Sequence, residues 1–118
     1  MALWCRDPAQ ATSLRETGIN PKVPECPAMP GIKAGVLADF ALMSAKDVVV
    51  LAVKAQAQTG VFEPLRDRIR PGNAVVTVSK GFADGTGTLL STALALAQGL
   101  GVLSGPSFSL DLFEDRPT

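Results

Sequence analysis

Asp47-Val48-Val49-Val50-Leu51-Ala52-Val53 is an unbroken run of β-branched and other apolar residues that follows a polar break. The run does not alternate between apolar and polar positions, which is typical of a strand buried on both faces. Such strands lie at the centre of parallel sheets, where crossover helices cover both faces. Residues 47–53 therefore predict a central strand of a parallel α/β sheet.

The next apolar run along the chain ends in a lysine and a glycine. Residues 74–82 read Ala-Val-Val-Thr-Val-Ser-Lys-Gly-Phe, and residues 74–78 predict a second buried strand. Ligands bind at the carboxyl edge of open α/β sheets, so Lys80 is the first candidate functional residue. The alternative is a solvated lysine at a strand end, which composition alone favours.

Helical patterns separate the strands. Residues 2–5 predict a strand, and residues 9–16 predict a helix with Asp7 as N-cap, Pro8 at the first helical position and Gly18 at the end. The remaining elements are predicted as an edge strand over 32–36, a helix over 37–44, a helix over 54–70 broken near Gly60 or Pro64, a turn over 71–73, a helix over 88–98 and a strand over 101–103. This alternation predicts a doubly wound parallel sheet.

Composition excludes several classes of function. The 118 residues suit one domain, and 11 basic and 11 acidic residues cancel, so no charge excess points to nucleic acid. The absence of histidine excludes a histidine-based triad and the common zinc-ligand patterns, and two cysteines do not make a disulfide framework or a metal site. Without an apolar run of membrane-spanning length or a signal peptide, the expected location is the cytoplasm.

The glycine fingerprint that binds phosphate after the first strand of a dinucleotide fold does not occur in this sequence. Gly85 and Gly87 precede a predicted helix without a third glycine, and Gly99 and Gly101 follow a helix and not a strand.

A second candidate segment follows the predicted strand over 101–103. Gly105-Pro106-Ser107-Phe108 offers close backbone approach and a hydroxyl, or is an ordinary turn. Because Lys80 also follows a strand, the two segments can face one crevice.

Arg6 and Asp7 follow the first predicted strand. An acidic residue at such a position binds the ribose hydroxyls of a dinucleotide, whereas arginine accommodates a 2′-phosphate. The alternative is a helix cap beside a solvated arginine. Cys5, at the end of an apolar strand, is expected in the core.

Taken together, five segments resemble the bacterial NAD(P)-dependent glycerol-3-phosphate dehydrogenase family in their order and spacing. They are Leu3-Trp4-Cys5-Arg6-Asp7-Pro8, Asn20-Pro21-Lys22, Val49-Val50-Leu51-Ala52-Val53, Ser79-Lys80-Gly81 and Leu103-Ser104-Gly105-Pro106-Ser107-Phe108. The family interconverts sn-glycerol 3-phosphate and dihydroxyacetone phosphate for phospholipid synthesis. The resemblance thus implies an oxidoreductase with a Rossmann-like fold, NAD or NADP as cofactor, a small-molecule substrate, and a homodimer for the full-length protein.

The resemblance also implies roles for individual residues. It implies that Lys80 lies between nicotinamide and substrate and contacts both, with Gly105 and Ser107 at the substrate. It implies that Ser109 is near the cofactor and that Arg6 is at the adenosine end.

Some positions depart from the family's pattern. Val23 stands where the family has an aromatic residue, Lys54 where it usually has proline, Ser109 where it usually has alanine, and Asp111 where it usually has glutamate.

The resemblance begins at the family's second strand and stops before its helical domain, which carries the catalytic lysine. Residues 1–118 are therefore expected to be a partial NAD(P)-binding Rossmann domain, inactive alone, with the first strand of the doubly wound sheet missing. In strand order 3-2-1-4-5-6 that strand would lie between residues 2–5 and residues 47–53, which either pair directly or keep unpaired edges. A non-catalytic α/β module that binds an anion or a partner, and another two-domain dehydrogenase acting on a hydroxy acid, remain alternatives.

Overall fold

The structure is a computed structural model that describes residues 1–26, 30–41, 44, 46–82, 99–105, 114 and 116. Its strands are β1 (Ala2–Cys5), β2 (Lys33–Val36), β3 (Val48–Leu51), β4 (Ala74–Thr77) and β5 (Leu100–Val102), and its helices are α1 (Pro8–Thr17) and α2 (Gln58–Phe62), with 3₁₀ turns at Leu37–Asp39, Ala55–Ala57 and Glu63–Arg68. One sheet pairs β1 with β2, and the other has the order β3-β4-β5. Every strand pair is parallel, which confirms the predicted parallel α/β class.

The first compact unit, Met1–Ala41, holds the sheet of β1 and β2 and helix α1. The start of α1 is as predicted. Asp7 Oδ1 accepts a hydrogen bond from Ala9 N at 2.9 Å, and Pro8 occupies the first turn, where its missing N–H costs nothing. Gly18 ends the helix with a φ of 67°, a left-handed conformation that glycine adopts without strain.

A small apolar core fixes α1 against this sheet. Cys5, Ala11 and Leu14 form its buried cluster, with Ala34 and Val36 packed against them. Burial raises the pKa of the Cys5 thiol, the nearby Lys22 charge lowers it, and the Asp7 carboxylate raises it further. The prediction of Cys5 as a core residue is confirmed.

The helix predicted over residues 37–44 is wrong for its described part. A single 3₁₀ turn, Leu37–Asp39, ends at Phe40, whose ψ of 126° is not helical. Phe40 is buried, and its ring meets the Trp4 ring edge-on with the ring centroids 5.8 Å apart. We attribute the early end of the helix to this aromatic contact, because it draws the chain away from a helical path.

The second compact unit, Leu42–Thr118, holds the three-stranded sheet. The prediction that residues 47–53 are buried on both faces is wrong. Val49 and Leu51 are buried, but Val48 and Val50 are 58% and 56% exposed. Helix α2 lies on the face that carries Leu51, because Gln58 of this helix bonds Thr77, the register partner of Leu51. Among the described residues of this unit, no second α-helix covers the opposite face of the sheet.

The strands β1 and β3 each have a single pairing partner among the described strands. In the described part of the chain, β1 pairs with β2 alone and β3 pairs with β4 alone. How residues 2–5 and 47–53 meet the absence of a strand between them stays a prediction.

The crossover between β3 and β4 is broken into short pieces, as predicted. The 3₁₀ turn Ala55–Ala57 leads into the five-residue α2, and a second 3₁₀ stretch, Glu63–Arg68, carries Pro64 at its second position. Proline lacks the N–H that an α-helix would need at this point. Val61 and Leu65, which are four residues apart in this crossover, are both buried. The helix predicted over 88–98 lies outside the described residues.

Asn73 links two loops at the amino edge of the second sheet, the loop before β3 and the loop before β4. Its Oδ1 accepts a hydrogen bond from Arg70 N at 3.0 Å, and its Nδ2 donates to Ser44 O and Asp47 O at 2.9 Å each. The turn over 71–73 is confirmed, with Gly72 at a φ of 99°. None of the helices described here is long and apolar enough to cross a membrane.

Candidate functional site

The candidate site lies at the carboxyl edge of the second sheet. The hydrogen-bond ladder continues past the strand ends, with Val78 N donating to Leu51 O at 3.2 Å and Leu103 N donating to Thr77 O at 2.9 Å. The chain segments that follow β3, β4 and β5 therefore leave the sheet side by side. This is the edge at which ligands of open α/β sheets bind.

The structure brings two of the candidate residues together there. Lys80 lies three residues after β4, and Gly105 lies three residues after β5. The Lys80 Nζ donates a hydrogen bond to Gly105 O at 2.5 Å. Lys80 itself is exposed, so its ammonium group is open to a ligand. Ser107 and Ser109 lie outside the described residues.

Hydrogen bonds join two buried polar side chains, Gln58 and Thr77, to the half-buried Ser79, which directly precedes Lys80. Gln58 Nε2 donates to Thr77 Oγ1 at 2.5 Å, and Ser79 N donates to the same Thr77 oxygen at 3.2 Å. The Ser79 hydroxyl in turn donates to Val53 O. We call Gln58, Thr77 and Ser79 the polar triplet. Sequence reasoning missed Gln58 and Thr77. Thr77 is a polar residue within an otherwise apolar strand, which was a signal, whereas Gln58 lies close to the polar residues Gln56 and Thr59 and carries no such signal.

Gly81 shapes the turn on the other side of Lys80. Its φ of 123° lies in a region that residues with a side chain rarely adopt. A Cβ at this position would lie 3.5 Å from the Cβ of Ala55, which is ordinary contact. The backbone conformation, and not a lack of space, therefore requires glycine after Lys80.

The site carries positive charge that no described carboxylate neutralises. Within the described ranges Lys80 forms no ion pair, and its ammonium group has three donors, of which Gly105 takes one. Lys54 is also exposed, and it lies three residues after β3, as Lys80 does after β4. Two free cations at one edge of a sheet attract an anionic ligand such as a phosphate ester.

Arg6 and Asp7 belong to the first compact unit and follow β1. Arg6 is exposed at the carboxyl end of this strand. Asp7 caps α1 through one carboxylate oxygen. The helix-cap interpretation of Asp7 is thus observed. Its predicted role at a cofactor, like that of Arg6, stays a prediction.

The parallel sheets with their crossover segments and a polar carboxyl edge define a Rossmann-like α/β protein. The crystal structure of glycerol-3-phosphate dehydrogenase from Coxiella burnetii matches 99% of this chain with a TM-score of 0.81, at 24% sequence identity and over 37% of that chain. This similarity supports the predicted fold class.

Sequence comparison then identifies the family. The model of the NAD-dependent glycerol-3-phosphate dehydrogenase N-terminus matches residues 1–118, and the chain belongs to this family. Glycerol-3-phosphate dehydrogenase (NAD(P)+) from Rhodospirillum rubrum is 36% identical over 100% of this chain and 35% of its own length. The enzyme of the same name from Beijerinckia indica subsp. indica is 29% identical over 100% of this chain and 36% of its own length. The chain thus spans about a third of the length of these relatives.

Proposed function

We propose that this chain is the partial NAD(P)-binding Rossmann domain, residues 1–118, of an NAD(P)-dependent sn-glycerol-3-phosphate dehydrogenase. The reaction interconverts glycerol 3-phosphate and dihydroxyacetone phosphate. The observation that carries the proposal is the Lys80 ammonium group, which is exposed at the carboxyl edge and hydrogen-bonded to Gly105 O. Membership of the family supports the assignment of substrate and cofactor. The proposed setting is the cytoplasm, with a role in phospholipid synthesis and a homodimeric full-length protein.

Each of the two compact units carries an exposed cation that follows a parallel strand. Arg6 and Lys80 are both exposed and both follow the carboxyl end of a parallel strand, where a phosphate-bearing ligand binds. In this proposal Arg6 and Asp7 hold the adenosine end, Lys80 lies at the nicotinamide end, and Ser109 adds a further cofactor contact.

The proposed mechanism assigns a separate task to each residue at the substrate. The residues at this edge would hold a nicotinamide cofactor, which would supply or accept the hydride. Lys80 holds its positive charge beside the reacting oxygen of the substrate and stabilises the negative charge that develops there. Gly105, which has no side chain, allows the substrate to approach the backbone closely, and the Ser107 hydroxyl binds a substrate oxygen. The proton acceptor of the family is a lysine that this chain does not supply, so the chain alone is expected to be inactive.

The test of the proposal is the binding of ligand to the 118-residue chain. Glycerol 3-phosphate and dihydroxyacetone phosphate are titrated into the wild type and the Lys80→Met variant by calorimetry. Removal of the charge with most of the length of the side chain retained should weaken binding by about tenfold or more. Lys46→Met is the matched control, because Lys46 is an exposed lysine just before β3, at the opposite edge of the same sheet.

Equal effects of the two substitutions would contradict a specific role of Lys80. Turnover of dihydroxyacetone phosphate by the purified chain would contradict the expectation that it is inactive alone. A cooperative thermal unfolding transition that neither NADPH nor glycerol 3-phosphate shifts would favour the alternative, a non-catalytic α/β module that binds another anion or a partner.

A further inference from the structure

Two members of the polar triplet, Gln58 and Thr77, are buried at positions where apolar residues would be expected. Gln58 is the first residue of α2 and has no exposed surface, and Thr77, the last residue of β4, is 1% exposed. Their neighbours along the chain include the buried apolar residues Val61, Phe62 and Val75. Buried glutamine is uncommon in such surroundings, because both ends of its amide need hydrogen-bond partners.

Stability alone does not explain this glutamine. Its Nε2 is satisfied by Thr77, but its Oε1 is buried and finds no hydrogen-bond donor in the described part of the chain. A buried acceptor without a partner destabilises the folded state, and an apolar side chain of similar volume would avoid that loss. We therefore look for the role of Gln58 in the hydrogen bond that it does make, which is the one to Thr77.

That bond leads to Lys80 through two further contacts. Thr77 Oγ1 accepts from both Gln58 Nε2 and the backbone N–H of Ser79, and the Ser79 hydroxyl donates to Val53 O. Ser79 is therefore held at its backbone and at its side chain. Since Ser79 directly precedes Lys80, these contacts determine where the lysine leaves the sheet.

We propose that Gln58 is a positioning residue for Lys80. It orients the Thr77 hydroxyl, Thr77 holds Ser79, and the fixed Ser79 places the Lys80 ammonium group on Gly105 O. Gln58 touches neither substrate nor cofactor in this arrangement. The consequence for ligand binding rests on the proposed function of Lys80, whereas the consequence for the position of the ammonium group does not.

The experiment compares variants of the polar triplet with a matched core variant. Gln58→Leu and Thr77→Val each remove one polar partner at nearly constant volume, and Thr77→Ser retains the hydroxyl. Val61→Ala is the control, because Val61 is a buried apolar residue on the same helix α2. The measurements are the NMR resonance of the Lys80 Nζ group, the hydrogen-exchange rate of the Ser79 amide, and the dissociation constant for glycerol 3-phosphate.

We expect Gln58→Leu and Thr77→Val to move the Lys80 Nζ resonance towards that of a free lysine. The Ser79 amide should exchange about tenfold faster, and binding of glycerol 3-phosphate should weaken by about tenfold. The double variant should show no larger effect than either single one, because both act through one chain of bonds. Thr77→Ser should behave like the wild type. Val61→Ala should lower the unfolding temperature without moving the Lys80 resonance.

An unchanged Lys80 resonance in Gln58→Leu, or the same change in Val61→Ala, would overturn the proposal. Additive effects in the double variant would also overturn it. If Gln58→Leu does not fold, the pair Thr77→Val and Thr77→Ser decides the question by the same measurements. If the wild type does not bind glycerol 3-phosphate, the proposed function fails, while the Lys80 resonance and the Ser79 exchange rate still decide whether Gln58 positions the lysine.

Discussion

At the scale of single residues, the position of Lys80 depends on neighbours that carry no charge. Gly81 supplies a backbone conformation that few other residues tolerate, and Gly105 supplies a carbonyl oxygen to the ammonium group. The neutral partner leaves the positive charge of the lysine intact, so it remains available to an anionic ligand.

Asp7 has two potential roles that one pair of substitutions can separate. Asp7→Ala removes the cap of α1 and should lower the free energy of unfolding by about 1 kcal/mol. Asp7→Asn keeps a capping oxygen, so its stability should stay near that of the wild type. Loss of the negative charge beside Arg6 should also shift binding towards NADPH over NADH. Thermal unfolding measures the first effect, and fluorescence titration with NADH and NADPH measures the second. If Asp7→Asn leaves the cofactor preference unchanged, Asp7 acts only as the N-cap of α1.

At the scale of elements, the first sheet depends on the close fit of Trp4 against Gly35. A Cβ built at Gly35 would lie 2.7 Å from Trp4 Cζ3 and 2.9 Å from Trp4 Cε3. The Trp4 ring also contacts the buried Phe40 ring, so it cannot move aside without losing that contact. Glycine at this position of β2 is therefore a packing requirement of the sheet.

Gly35→Ala should consequently destabilise the first sheet by about 1–3 kcal/mol, because the added methyl group overpacks the space under the indole. Trp4 is the only tryptophan of the chain, so its fluorescence during denaturation reports on this sheet. Gly101→Ala in β5 is the control, since its Cβ would lie 3.5 Å from the nearest atom, Val76 Cγ2. Equal denaturation midpoints for the wild type and Gly35→Ala would show that the indole moves at little cost.

At the scale of the whole molecule, the two faces of the second sheet differ in burial. Val49 is 6% exposed and Val50 is 56% exposed, although they are adjacent and chemically identical. Parallel sheets are ordinarily covered on both faces. The chain spans about a third of the length of its relatives, and one face of β3 remains open among the residues described.

A matched pair of substitutions tests this difference. Val→Thr exchanges a methyl group for a hydroxyl at nearly constant volume. At Val49 it should cost about 1–3 kcal/mol, because the hydroxyl is buried without an assured partner. At Val50 it should cost no more than about 0.5 kcal/mol. Urea denaturation followed by circular dichroism measures both values. A large loss for Val50→Thr would mean that this face is covered in solution.

The sequence predicted much of the fold but less of the site. The cap at Asp7, the break at Pro64 and the turn at Gly72 were predictable, because each depends on the conformational preferences of one residue and its close neighbours. The helix over 37–44 was wrong because Phe40 packs on Trp4, which lies far away along the chain. Lys80 and Gly105 could be placed at one edge, but the hydrogen bond between them could not be foreseen.

The sequence by itself determined the parallel α/β class, the order of the elements and the arrival of a lysine at a strand end. These features follow from local periodicity and from residues that are adjacent in the chain. The tertiary structure alone decided which face of β3 is buried, that Gln58 bonds Thr77, and that Lys80 bonds Gly105. The reason is distance along the chain, because these two contacts join residues 19 and 25 positions apart, and only the packed sheet brings such residues within hydrogen-bond reach.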